Sequence, residues 1–366
     1  MKILCIIDSL GSGGAQRQIV NLACGLKAKK HEVEFFIYHS HLNFFRSVID
    51  DAGIRVHEVN GISGFSFRVI RSLAKVLRET SFDAIISFLP STNIYAVLGK
   101  LLSGTNCFLI VGERASKSLD SGFFYPFVQR SLYIFAKNVV ANSYHQAEYL
   151  RKYFWIRNKI STIYNGYKID KNSIVHEPTF NNSCKFLVVG RIDSGKNGIR
   201  LVKALEFFHR RNGYLPQIHW AGRQEQDQKS IVIRDEMDHL ITTNSALDAA
   251  WCWLGEHPDI PTLLFSYDAL IHISLHEGLP NVVCEAFIAG RPVIASAVCD
   301  HPLLIEEEVR GLLCDPFSSE SICKALERFY LLSLEGRQKM GRNARRFAED
   351  RLTIERMVDQ YEALIT

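Results

Sequence analysis

The chain has 366 residues, 47% of them hydrophobic and 22% charged, with 43 Lys and Arg against 39 Asp and Glu. This composition excludes a disordered chain, and the length suits two domains rather than one core. A net charge of +4 is too weak to argue for nucleic acid, but it suits anionic substrates or an anionic membrane surface.

Residues 3–7, ILCII, read as a buried strand. Asp8 ends this apolar start too soon for a secretory signal. The Gly-rich turn Gly11-Ser12-Gly13-Gly14 leads into a helix with Ile19, Leu22, Ala23 and Leu26 on one face, and Glu32 to Tyr38 form the next strand. Phe65 to Thr80 places Arg68, Arg71, Lys75 and Arg78 at helical spacing beside Phe67, Val69, Ile70, Leu73, Val76 and Leu77. Such a basic amphipathic helix fits either a core with a solvated edge or an anionic lipid surface. Further strands are expected at 84–89, 107–111 and 138–141, separated by helical stretches. The aromatic stretch Phe123 to Lys137, around Arg130, reads better as core than as membrane surface.

The pattern pauses at 166–184, a polar stretch that reads as a linker. A second βα series follows: strand 185–189, loop Gly190–Asn197, a helix to about Arg211, strands at 217–221 and 269–274, a helix at 282–289 and a strand at 292–295. The expected fold is therefore α/β, with two Rossmann-like doubly wound domains facing each other across a cleft. The domains are placed at 1–165 and 185–352, and the sequence permits the last helix, 353–366, to pack back on the first. No run of about 18 apolar residues occurs, so no membrane-spanning helix is expected. Nine scattered cysteines, none in a Cys-x-x-Cys pair, speak against zinc and for a reducing compartment.

Two constellations carry chemistry. In His276-Glu277-Gly278-Leu279-Pro280-Asn281-Val282-Val283-Cys284-Glu285, Asn281 opens a helix as a plausible N-cap, and the first-turn N–H groups offer an anion site suited to a diphosphate. Glu285, one turn on, can accept hydrogen bonds from two ribose hydroxyls, and Glu277 is left near the sugar end. In Gly190-Arg191-Ile192-Asp193-Ser194-Gly195-Lys196-Asn197, Arg191 and Lys196 bring two cations to the carboxyl end of the sheet, where they can hold a diphosphate. On spacing alone, solvated loop residues fit both segments as well. The Gly13-Gly14 turn is neither a dinucleotide fingerprint nor a Walker sequence, so a tight turn with no ligand also fits.

Together these segments resemble glycosyltransferase family 4, of the retaining, metal-independent GT-B type. Glu277 to Glu285 is similar to the family's Glu-x7-Glu motif. Gly190-Arg191 with Lys196-Asn197 resembles its Gly-Arg…Lys-Asn loop, and Ser12-Gly13-Gly14-Ala15 its N-terminal turn. His31-Glu32-Val33, Asn142-Ser143, Asn165-Gly166, Leu254-Gly255 and Gly290-Arg291-Pro292-Val293-Ile294 fall in family order, so the resemblance spans nearly the whole chain. It implies that Arg191 and Lys196 hold the donor diphosphate, Glu285 the ribose and Glu277 the transferred sugar. The backbone at Asn281 and Val282 would meet the distal phosphate, Gly13-Gly14 would approach it from the first domain, and Trp253-Leu254 would line the base. Catalysis would rest on Glu277, Arg191 and Lys196, with no metal and no cofactor beyond the nucleotide-sugar substrate; no Asp-x-Asp triplet occurs.

Many family members carry a histidine after the strand at 84–89, whereas this chain reads Ser87-Phe88-Leu89-Pro90-Ser91-Thr92-Asn93. The Phe-Leu…Thr-Asn pattern, with Glu113-Arg114 further on, resembles a branch that extends bacterial lipid-linked glycans, which makes Thr92, Asn93 and Arg114 weaker site candidates. The resemblance thus implies transfer of a hexose or N-acetylhexosamine, from UDP rather than GDP, to a glycan or polyprenyl-diphosphate-linked glycan. The protein would be cytoplasmic, at the inner face of the membrane if 65–80 touches lipid. Two rival readings are a sugar-nucleotide 2-epimerase and a non-catalytic nucleotide-binding subunit. Intact Glu277, Arg191, Lys196 and Glu285 count against the second.

Overall fold

The computed structural model describes residues 1–62, 64–114, 124–170, 184–257 and 259–366, with backbone only at 124–126. Two compact units divide the chain: Met1–Lys168 with Leu352–Thr366, and Ile169–Arg351. Most of the stretch read as a linker, 171–183, lies outside the described residues.

In the first unit alternate residues of one apolar strand go to opposite faces, as the period of two demands. Ile3 and Cys5 join one core cluster, Leu4 and Ile6 the other. The strand they form, β1 (Lys2–Ile6), sits at the centre of a parallel sheet with β2 (Glu32–Ile37), β3 (Arg55–Glu58), β4 (Ala84–Phe88), β5 (Phe108–Glu113), β6 (Asn138–Ala141) and β7 (Ile160–Thr162). The order is β3-β2-β1-β4-β5-β6-β7, with every pairing parallel. The helix Gly14–Ala28 covers one face and the helices Phe67–Glu79 and Pro90–Ser103 the other.

The helix Ile354–Ile365 belongs to this unit, although 183 residues of the second unit precede it in the chain. Thr353 caps it by accepting from Arg356 N, and it buries Met357, Val358, Tyr361 and Ile365 in the same cluster as Ile19 and Leu22. Each such side chain contributes about 1.5–3 kcal/mol before its lost conformational freedom is set against it. At its rim Lys29 Nζ meets Asp359 and Glu362 at 2.5 and 2.6 Å.

The second unit repeats the plan with β8 (Lys185–Val189), β9 (Gln217–Ala221), β10 (Trp251–Gly255), β11 (Ala269–His272), β12 (Val293–Ser296) and β13 (Gly311–Cys314). Their order is β10-β9-β8-β11-β12-β13, again all parallel. Phe186, Val188, Leu201, Leu205, Trp220, Ile271 and Phe329 build its core. Both sheets are doubly wound. The strand order reverses between β1 and β4 in one and between β8 and β11 in the other, and a crevice at the carboxyl ends of such a pair is where ligands of these folds bind.

Four strands, β3, β7, β10 and β13, stand apart from the nine expected from the sequence, and they are the four sheet edges.

Candidate active site

The reversal between β8 and β11 brings the two sequence constellations side by side. The loop after β8 folds into a short 3₁₀ turn, Ser194–Lys196, because Asp193 accepts from Lys196 N at 3.1 Å. Asn197 then takes a left-handed backbone (φ 62°), unusual for a residue with a side chain. Its buried amide compensates by donating to Ile273 O at 3.2 Å and Pro316 O at 2.8 Å. Gly190 has φ 151°, and a Cβ there would lie 2.8 Å from Lys196 Cε, so only glycine lets the lysine stem cross this backbone. Leu275 N donates to Gly195 O at 2.9 Å and ties the loop to its neighbour after β11.

The result is a half-buried ionic cluster backed by a buried histidine pair. Lys196 Nζ lies 2.5 Å from Glu277 Oε1. The same oxygen is 3.1 Å from Nε2 of His272, the last residue of β11, which is only 2% exposed. Ser274 Oγ stands 3.4 Å from both Lys196 Nζ and His272 Nε2. Burial alone would push the Glu277 carboxyl up, but His272 and Lys196 outweigh it and hold the group well below the usual carboxylate range. Burial lowers the His272 imidazole, partly offset by its bond to Glu277.

Behind His272 stands the fully buried His301, ring centroids 5.3 Å apart. His301 Nδ1 is 2.7 Å from Ser296 O, so it carries the proton, and Nε2 has no partner among the described residues. Burial pushes its imidazole down to about 4. Glu277 N donates to Cys299 Sγ at 3.5 Å, and Cys299 itself sits at φ 50°.

The helix Asn281–Ile288 starts beside this cluster. Its N-cap position falls on Pro280, not Asn281, and offers no side-chain acceptor. Asn281 and Val282 are therefore first-turn residues with no preceding helical carbonyl for their N–H groups, as an anion site requires. Glu285 lies on the same helix, 9% exposed.

Not every candidate joins the cluster. Arg191 is held by Glu225, Nη1 to Oε1 at 3.1 Å, and Glu225 also takes Arg223. The two cations thus rest on separate carboxylates. Trp253 lies on the edge strand β10, its indole N–H on Asp238 at 3.0 Å and its face 3.8 Å from the Arg234 guanidinium; Leu254 follows it there.

In the first unit Gly13 is the N-cap of the helix Gly14–Ala28, with an extended backbone. A Cβ on Gly13 would meet Gln16 Oε1 at 2.2 Å, and Gln16 donates to Asp8 Oδ1 at 2.8 Å. Thr92, Asn93 and Arg114 are taken up by the fold. Thr92 pairs with Tyr38 OH at 3.1 Å. Asn93 accepts from Ser87 and donates to Gly112 O and Tyr133 OH, which uses its amide in full. Arg114 stacks 3.8 Å over Phe88 and reaches Asn165 and Tyr361, joining the end of β5 to the C-terminal helix. A cavity of about 460 Å³ opens nearby, lined by Asp8, Tyr38, His39, Phe65, Ser91 and Tyr95 among others. Phe65 lies flat on Tyr95 at 5.2 Å with 58% of its surface exposed.

The sequence reading missed His272 and His301. The available signal was a histidine inside the apolar run ALIHIS, where a polar ring needs a partner. Among the described residues no group of three or more His, Cys, Asp or Glu could hold a metal ion, and no helix is long and apolar enough to cross a membrane.

Residues 12–171 match Glycosyltransferase Family 4 and residues 170–347 match Glycosyl transferases group 1. The chain is 24% identical to a Campylobacter jejuni protein named GalNAc-alpha-(1->4)-GalNAc-alpha-(1->3)-diNAcBac-PP-undecaprenol alpha-1,4-N-acetyl-D-galactosaminyltransferase, over 96% of this chain and 94% of that one. It is 23% identical, over 70% and 68%, to the Escherichia coli UDP-Gal:alpha-D-GlcNAc-diphosphoundecaprenol alpha-1,3-galactosyltransferase. Its fold is similar to that of Anabaena Alr3699/HepE in complex with UDP and glucose, at TM-score 0.79 and 19% identity over 99% and 98% of the two chains.

Proposed function

The chain belongs to the family 4 glycosyltransferases, on the GT-B fold, and from that premise we propose that it moves a hexose or N-acetylhexosamine from UDP to a lipid-linked glycan of the bacterial surface, with retention at the anomeric carbon. The observation that carries the reading is the Lys196–Glu277 pair at the β8/β11 reversal, beside the start of the helix Asn281–Ile288. The helix start takes the distal phosphate, and Lys196 and Arg191 neutralise the charge that grows on the departing diphosphate, the part a divalent cation would otherwise take. Glu277, kept ionised, accepts from sugar hydroxyls and orients C1. Glu285 takes the ribose, and the β10 backbone at Trp253 and Leu254 meets the base.

The acceptor belongs to the first unit in this reading. The relatives' names, each with an undecaprenyl-diphosphate acceptor, support a lipid-linked glycan. The cavity beside Asp8 and Phe65 supports a sugar docked on an aromatic face. Exposed Phe65 and Phe67, with Arg68, Arg71, Lys75 and Arg78 exposed along the next helix, support contact with anionic lipid at the inner face of the cytoplasmic membrane.

The test is thermal stability with UDP, GDP, ADP and their sugar conjugates, EDTA present, followed by transfer to an undecaprenyl-diphosphate-linked sugar. A nucleotide at 100 times its dissociation constant adds about 2.7 kcal/mol. The expected result is stabilisation by UDP that Arg191→Ala or Glu285→Ala removes. No stabilisation by any nucleotide would overturn the donor site.

A further inference from the structure

The Lys196–Glu277 pair has a difficulty built into it. A diphosphate draws on the same ammonium that now neutralises Glu277, and a carboxylate only 17% exposed is costly to keep ionised without a partner. Lys196 Nζ is 2.5 Å from Glu277 Oε1, and Ser274, the nearest other group on the lysine, carries no charge.

We propose that His272 is the standing partner of Glu277: its Nε2–H stays on Oε1, at 3.1 Å, and holds the carboxylate in place when Lys196 turns to the donor diphosphate. This rests on the donor-site reading above and adds a positioning residue to it. His272 closes β11, so its ring is fixed by the sheet rather than by a loop. His301, packed against it at 74° from the helix His301–Ile305, limits its rotation. The titratable groups facing it are Lys196 from the loop after β8, Glu277 from the loop after β11, and His301. A hydrogen bond from a neutral imidazole also leaves the donor site without a second fixed positive charge, so Lys196 remains free to move.

The test begins with long-range ¹H–¹⁵N NMR of the full chain, free and with UDP. His272 is expected neutral with its proton on Nε2 in both; a proton on Nδ1 alone overturns the proposal, because the nitrogen facing Glu277 would then have nothing to donate. Next, His272→Leu and His272→Gln are assayed with UDP-N-acetylgalactosamine and UDP-galactose. His272→Leu should lose about 10- to 100-fold in kcat, the scale of a lost hydrogen bond to a charged group. UDP affinity should stay within about twofold, since the lost contact is to the sugar-handling carboxylate. His272→Gln, which keeps a side-chain N–H, should recover most of the rate. Wild-type kcat in His272→Leu overturns the proposal alone. So does a matching loss of UDP affinity that Gln fails to restore, the mark of a merely structural role. A wild-type chain that binds no UDP overturns the donor site and this proposal with it.

Discussion

The two units share a topology and use it differently. Both sheets reverse at a central pair of strands, β1/β4 and β8/β11. In the second unit that reversal gathers the half-buried pair Lys196 and Glu277 against the buried His272 and His301. In the first the matching position holds Asp8, bonded to Ser9 and Gln16, and the fully committed Asn93. What the first unit has instead is surface. Among the described residues Phe44, Phe65, Phe67, Phe154 and most other exposed large apolar side chains are its own. One doubly wound plan thus supplies a shielded ion pair in one copy and a more apolar exterior in the other.

Substitution at the cluster should have the largest effect. Glu277→Ala is expected to lower the transfer rate about 10²- to 10³-fold, with UDP still stabilising the chain. Asp8→Asn should cost far less, and equal losses in the two rate assays would break the contrast. Acid separates the units next. His301 titrates near 4 in the fold and near 6.5 when unfolded, so the unfolded chain binds the extra proton between those values. Stability is therefore full above pH 6.5 and falls by about 3 kcal/mol on the way to pH 4. Urea unfolding read by tryptophan should see this, since Trp220, Trp251 and Trp253 lie in the second unit and only Trp155 in the first. His301→Asn should flatten the slope.

Smaller still is Arg114→Leu, expected to cost about 1.5–3 kcal/mol by freeing the C-terminal helix from β5. Calorimetry measures that cost, and titration with UDP should find its affinity unchanged; a lost affinity would return Arg114 to the site. Least of all, replacing Phe65 and Phe67 with Ser should weaken sedimentation with phosphatidylglycerol vesicles about tenfold. Unaltered sedimentation would remove the lipid contact from the first unit.

What the sequence made legible follows the same physics. Central strands are buried on both faces and read as unbroken apolar runs, as Ile3–Ile7 and Phe186–Val189 do. The edge strands β3 and β7 are short and half-exposed, so neither run length nor alternation marks them. Within the site, Glu277 and Lys196 were visible because loop glycines and helix starts frame them. His272 was not: its role depends on which loop oxygen faces the end of β11, a matter of tertiary register. Arg114 drew notice through the family resemblance of Glu113-Arg114, and only the return of residues 354–365 shows that Tyr361 is one of its partners.

That return has a consequence for synthesis. Residues 169–351 form one uninterrupted unit, while the first is assembled from two stretches of chain that flank it. A chain leaving the ribosome can finish the later-coded unit first. The earlier-coded one waits, with the bed for Met357, Val358 and Tyr361 uncovered, until residues 354–365 emerge. The protein is thus completed out of its written order, and the part that awaits its final piece is the one coded first.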